Sequence, residues 1–317
     1  MKTSMLVGYT GFVGSNIAQK HDFTWKINSK NKEEAYGKKP DLLVYAGLRA
    51  EKFLANQNPE ADMETILEAM EQIRKIDPVK LVLISTVDVY QNPVGVDEDS
   101  VIETDGLSPY GANRYKLEQM VREDYKDALI IRLPGLFGKN IKKNFIYDYI
   151  HRIPSMLRED KFLELVGKSS LVETSYRKLD NGFYKCMLTE KEPLTAKDEY
   201  AVEELKQEFV ALEFSALNFT DSRGVFQFYN LARLWDDIQI ALEHDIRLLN
   251  IATEPVSVAE TYKALCDKSF VNEITDKPPH YDYKSKYAES FGGRNGYFSD
   301  KKTVLEEIVE FVNRYER

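Results

Sequence analysis

Cysteine is scarce: Cys186 and Cys266 are the two in 317 residues. They give no disulfide framework, and with the four histidines they form no metal-ligand spacing. The compartment this predicts is reducing, hence cytoplasmic. Long apolar runs are missing too; none reaches the ~20 residues a membrane-spanning helix needs. The N-terminus passes straight into a strand-like segment, without the charged and apolar regions of a signal peptide. Positive charge is in deficit, with 43 Lys and Arg against 52 Asp and Glu and a net charge of −9. That balance disfavours bulk attraction to nucleic acid, and no aromatic and basic platform offsets it. Neither nucleic acid nor a membrane is an expected partner. Internal repeats and low-complexity segments are also absent.

What is present is an ordinary globular composition, 43% hydrophobic and 30% charged. The length suits one large α/β domain with an appended lobe, or two domains. Residues 4–7 are short and apolar. They run directly into Gly8-Tyr9-Thr10-Gly11-Phe12-Val13-Gly14, and residues 15–20 read as a helix. Further buried strands are predicted at 23–27, 41–45, 80–84 and 128–133. Helices are predicted at 63–76, where Met63, Ile66, Leu67, Met70 and Ile73 fall at helical spacing, and at 109–125. Continuous Val/Ile/Leu strands alternating with helices predict a parallel, doubly wound sheet. The connection between the second and third strands is short, so one helix and strand of a full Rossmann half are expected to be missing there.

From Asn140 to Ser222 the chain becomes charged, aromatic and irregular, and reads as a substrate lobe. A strand is then predicted at 225–229, a helix at 231–243, and a late strand of the main sheet at 247–252. A closing helix at 303–315 places Val304, Leu305, Ile308, Val309 and Val312 on one face. The organisation this predicts is a Rossmann-type unit of residues 1–139 plus about 223–252, and a smaller lobe of about 140–222 plus 253–317.

The strand–glycine–helix order is the one a dinucleotide loop requires. The first glycine lets the chain turn sharply, the second lets backbone approach a pyrophosphate, and the third lets the helix pack on the strand. The spacing here is GxxGxxG. Downstream, the strand KLVLI is followed by Ser85-Thr86-Val87-Asp88-Val89-Tyr90. Later comes Tyr110-Gly111-Ala112-Asn113-Arg114-Tyr115-Lys116-Leu117-Glu118. With Ser222-Arg223 before VFQFYNLARLWDDI, and Leu249-Asn250-Ile251-Ala252 before Pro255-Val256-Ser257, the chain resembles the extended short-chain dehydrogenase/reductases. Within them it resembles the NAD-dependent epimerase/dehydratase family that acts on nucleotide sugars.

The resemblance implies a hydride transfer between a sugar carbon and a nicotinamide. It makes Tyr110 the acid/base, a role that needs its phenol pKa to fall from about 10 toward neutral. Thr86 holds the reacting oxygen, and Asp88 is either a second acid/base that also meets the substrate or the cap of a turn. The cation beside the tyrosine normally comes from a lysine four positions on. Here Arg114 stands there, keeping the charge and able to reach ribose hydroxyls with a different geometry. Lys116 lies on another helix face.

The cofactor contacts implied are Gly8, Thr10, Gly11, Phe12, Val13, Gly14, Asn28, Ser29, Lys30, Ala46, Gly47, Tyr110, Arg114 and Pro134. No carboxylate follows the second strand, where Asn28-Ser29-Lys30 stands, so NADP(H) is favoured and NAD(H) remains open. Substrate contacts implied are Asp88, Asn144 and Arg223, with Lys139, Lys142 and Lys143 as a candidate phosphate clamp. Gly135 stands where the family often has asparagine. The shortened region before Asp41 suits the family's keto-sugar reductases, and Val87 replaces the first carboxylate of its dehydratases; epimerases stay open. A homodimer through the helix bearing Tyr110 is implied by resemblance. The contrasting reading is a nicotinamide-nucleotide-binding sensor or assembly protein without turnover, which Arg114 favours.

Overall fold

The computed structural model describes residues 2–188 and 195–315. It opens with β1 (Ser4–Val7), α1 (Phe12–Ala18), β2 (Trp25–Ile27) and β3 (Leu42–Tyr45). Then come α2 (Lys52–Gln57), α3 (Pro59–Ile76), β4 (Lys80–Thr86), α4 (Pro109–Asp124) and β5 (Leu129–Leu133). Six strands form one parallel sheet, in which a late strand pairs with β5 and the order continues β4, β3, β1, β2. Between β2 and β3 there is only a 3-10 turn at Lys32–Ala35. The connection, residues 28–41, is long enough for one parallel crossover past β1 but holds no further helix and strand, which leaves β2 as the sheet edge.

Two helix starts beside the site follow side-chain caps. Asn58 accepts from Ala61 N at 3.2 Å and Pro59 opens α3. Ser108 accepts from Gly111 N at 3.2 Å and Pro109 opens α4. Proline at that place loses no hydrogen bond and presets the backbone. Tyr110 is thereby fixed in the first turn of α4.

The second half is more regular than its composition suggests. It contains β6 (Gly135–Phe137), α5 (Phe145–His151), β7 (Met156–Arg158), α6 (Glu159–Val166), α7 (Ser170–Ser175), β8 (Tyr176–Lys178), β9 (Phe183–Cys186) and α8 (Ala196–Ala211). The strands β7, β9 and β8 form an antiparallel sheet. With α6 to α8 it encloses a core of its own, including Leu157, Phe162, Val172, Leu205 and Phe209. The expectation of an irregular stretch over 140–222 is corrected here. Charged residues on short helices hid the apolar faces that build this core.

The chain then returns through β10 (Val225–Phe226), β11 (Phe228–Asn230), α9 (Leu234–Glu243), β12 (Leu248–Asn250), β13 (Val256–Ser257), α10 (Val258–Cys266) and α11 (Lys301–Tyr315). The single strand expected at 225–229 is two. Phe226 pairs with Val256 antiparallel, whereas Phe228 pairs with Gly135 parallel. The buried side chain of Gln227 takes both neighbours, donating to the carbonyls of Thr253 and Tyr283 and accepting from Tyr283 N. Core packing also crosses the expected domain boundary. Ala288, Phe291 and Phe298 lie in the same cluster as Leu6, Val44 and Ile131 of the main sheet. Among the described residues, no helix is long and apolar enough to cross a membrane.

Candidate active site

The C-terminal ends of β1, β2 and β3 lie in register, with Val7 opposite both Ile27 and Tyr45. Thr86 at the end of β4 is opposite Leu133. Ligands of open parallel sheets bind beyond this edge. The glycine turn sits there. Gly8 has φ +88°, and a Cβ on it would lie 2.3 Å from the Ala46 carbonyl oxygen. A Cβ on Gly14 would lie 2.1 Å from the Gly8 carbonyl oxygen. Both are compelled by the chain's own packing. Gly11 is under less pressure: a Cβ there would meet only the Gly8 oxygen, at 3.3 Å, and the residue is exposed. Bare backbone at an exposed turn leaves room for a dinucleotide phosphate group.

Around this turn, the Asn28 side chain donates to the Tyr9 hydroxyl at 3.3 Å and accepts from Lys30 N at 2.8 Å. Ser29 and Lys30 are exposed, as are Thr10 and Gly47. Phe12, Val13, Ala46 and Pro134 are half-buried. Buried Asn16 donates to the carbonyls of Phe12 and Lys139, each at 2.8 Å, and docks the 138–140 loop against α1.

At the end of β4, Thr86 accepts from Asp88 N at 3.2 Å and caps the 3-10 turn Val87–Val89. That turn is packed under α4, because a Cβ on Gly111 would come within 2.2 Å of the Asp88 carbonyl oxygen. Thr86, Asp88 and Tyr110 therefore converge. Tyr110 is 5% exposed and Arg114 is 4% exposed, so neither faces solvent. The Arg114 guanidinium lies 4.5 Å from the centre of the Tyr110 ring.

The expected lowering of the Tyr110 phenol is not found. Burial pushes it above its ordinary value; Arg114 and Lys52 oppose that, and Asp88 adds to it. Nor are the Arg114 donors free for a ribose. They go to both carboxylate oxygens of Asp62, at 3.0 and 3.1 Å, and to the Arg49 carbonyl at 2.9 Å.

Other expected contacts are used internally. Asn144 caps α5, accepting from Ile146 N at 3.0 Å and donating to the Leu136 carbonyl at 2.7 Å. Arg223 forks onto Asp221 and pairs with Glu273 at 2.9 Å. Lys139 and Lys142 are exposed, while Lys143 donates to the Ala50 carbonyl.

Residues that carried no signal in the sequence complete the site. Lys52 Nζ lies 2.8 Å from Asp88 Oδ1, to which the Tyr281 hydroxyl donates at 3.0 Å. Asn56 accepts from Tyr110 N at 3.0 Å. These pairs span 36, 193 and 54 positions, beyond the reach of any local pattern.

Residues 22–170 match the model described as the NAD dependent epimerase/dehydratase family. The match begins after the glycine turn. A search of curated proteins returns no significant match. Among solved structures, the fold is similar to a dTDP-4-dehydrorhamnose reductase from Yersinia enterocolitica, at 13% identity and TM-score 0.63, covering 98% of this chain and 100% of that one. It is similar to a UDP-glucose 4-epimerase from Thermotoga maritima, solved with UDP-glucose, at 15% identity and TM-score 0.61, covering 99% and 100%. A dTDP-4-dehydrorhamnose reductase from Bacillus anthracis, in complex with NADP, gives 15% identity and TM-score 0.62, covering 99% and 98%.

Proposed function

We propose that the chain is an NAD(P)-dependent oxidoreductase or epimerase acting on a nucleotide-activated sugar, a reading supported by the match of residues 22–170 to the NAD dependent epimerase/dehydratase family model. The observation that carries this reading is the convergence of Tyr110, Thr86 and Asp88 at the sheet edge that also holds the glycine turn. The chemistry a nicotinamide would supply there is hydride transfer to or from the sugar carbon. Tyr110 moves the proton of the attached oxygen, and Thr86 holds that oxygen. Asp88 serves as a second proton carrier on the substrate side. Gly8 to Gly14, with Ala46, Gly47 and Pro134, form the cofactor cradle. Asn28 and Lys30 receive the adenosine ribose and favour NADP(H). Arg223 and Asn144 face the nucleotide part of the substrate once their internal partners yield.

The test uses the purified full chain with NADPH and NADH and a panel of UDP- and dTDP-hexoses and their keto forms. Tyr110→Phe is expected to lower turnover by at least ~100-fold, with cofactor binding kept within a few-fold. A phenylalanine variant of undiminished turnover overturns the reading.

One observation favours a second reading, a nicotinamide-nucleotide-binding sensor without turnover. The Tyr110 phenol is held high by burial, and its arginine is engaged with Asp62. A sensor retains its ligand response in Tyr110→Phe and gains no turnover in Arg114→Lys.

A further inference from the structure

Arg114 cannot be understood without the segment it holds. Five residue pairs tie residues 49–62 to the start of α4: Arg114 with the Arg49 carbonyl and with Asp62, Asn113 with the Pro59 carbonyl and with Asp62, and Tyr110 N with Asn56. Lys52 sits in the middle of this tied segment. Its side chain is 45% exposed, and its ammonium reaches inward to Asp88 at 2.8 Å. Asp88 in turn hangs between three elements, receiving Lys52 from α2 and the Tyr281 hydroxyl from the segment after His280.

The charged and titratable groups around Tyr110 come from several sides. Arg114 lies on its own helix, Lys52 on α2 and Asp88 on the turn after β4. Tyr281 and Lys143 face Asp88 from beyond, with Glu51 beside Lys143. A carboxylate next to a buried phenol opposes phenolate formation. Asp88 alone would therefore work against an acid/base at Tyr110. An ammonium on that carboxylate removes the conflict and fixes the carboxylate's direction.

We propose that Lys52 is a positioning residue that neutralises and orients Asp88 beside Tyr110, while Arg114 is the internal clamp that holds the segment delivering Lys52. This rests on the reading of Tyr110 as the acid/base. It divides between two residues, 62 positions apart in sequence, what one cation on α4 is too enclosed to do. Arg114 keeps a fixed charge over the ring, and Lys52 sets the charge on the substrate side.

The test is ¹⁹F NMR of the full chain carrying 3-fluorotyrosine, whose phenol titrates below that of tyrosine; Tyr110→Phe assigns the resonance. Lys52→Met is expected to move the Tyr110 titration upward by roughly one pH unit. Lys52→Arg restores it, and the double variant Lys52→Met/Asp88→Asn returns it to near the wild-type position. Hydrogen exchange over residues 49–58 is expected to quicken in Arg114→Met and to stay unchanged in Lys52→Met. An unmoved titration in Lys52→Met overturns the proposal. So does a double variant as displaced as the single, or a Lys52→Met chain whose 49–58 segment opens. Failure to bind NADPH counts against the functional reading instead, and leaves this titration as readable as before.

Discussion

Tyr110 gathers the conflicting demands of the site in one side chain. It is buried, which favours the neutral phenol, and it has Arg114 over its ring, which favours the anion. Burial wins, so a second cation matters more here than it would at an exposed tyrosine. The cofactor end poses a different residue-level question. Asn28 is braced between Tyr9 and Lys30 N, while Lys30 is exposed and no carboxylate stands among residues 28–30 to repel a phosphate. NADPH is therefore expected to bind several-fold more tightly than NADH at low salt, and Lys30→Ala to remove most of that preference. Dissociation constants from fluorescence titration check this, and tighter binding of NADH would refute it.

At the scale of elements, the three glycines of the β1–α1 turn have different reasons. Gly8 and Gly14 touch backbone oxygens that cannot move without displacing β3 or the turn itself. Gly14→Ala is expected to destabilise the chain by about 1–3 kcal/mol, the usual range for forced overpacking. Gly11→Ala, with a single tight contact at 3.3 Å, is expected to lower stability by much less than Gly14→Ala. It should nevertheless weaken NADPH binding by tenfold or more, because the added methyl occupies the exposed face of the turn. Thermal melts and calorimetric titrations of both variants separate fold from ligand. Equal effects of the two on stability would show that the distinction is wrong.

At the scale of the whole molecule, buried polar links join the sheet to the last third of the chain. Glu118 of α4 accepts from Ser85 and forks with Arg132, and Arg132 donates to the Tyr90 hydroxyl at 2.8 Å. Asn250 donates to Tyr90 at 3.0 Å, and Glu98 accepts from Asn250 N, Ser285 and Lys286 N. Such a chain fixes relative geometry more than it adds stability. It holds the turn bearing Asp88 against the segment bearing Tyr281. On the opposite side, α3 and α4 pack together, and Leu67 of α3 is left facing solvent. We propose that this pair of helices forms a homodimer. Light scattering at micromolar concentration is expected to give twice the chain mass of 36.6 kDa. Leu67→Glu is expected to shift the population toward monomer, and a strict monomer in the unaltered chain would refute the assembly.

The sequence by itself determined the parallel sheet, its missing strand and the glycine turn. Resemblance to a known family implied a shared chemistry for Thr86, Asp88 and Tyr110, and the fold brings the three side by side. The sheet, its missing strand and the turn are written in short-range patterns: apolar runs of strand length, a turn that needs glycine, and capping residues before a helix. Tertiary structure alone decided that Arg114 points inward to Asp62, that Lys52 and Tyr281 meet at Asp88, and that residues 225–229 divide between two sheets. It also decided that the charged stretch after Asn140 closes around its own core. The physical reason is range. A salt bridge between residues dozens of positions apart has no period or spacing to betray it, and a cation's partner depends on which segment the fold lays across it.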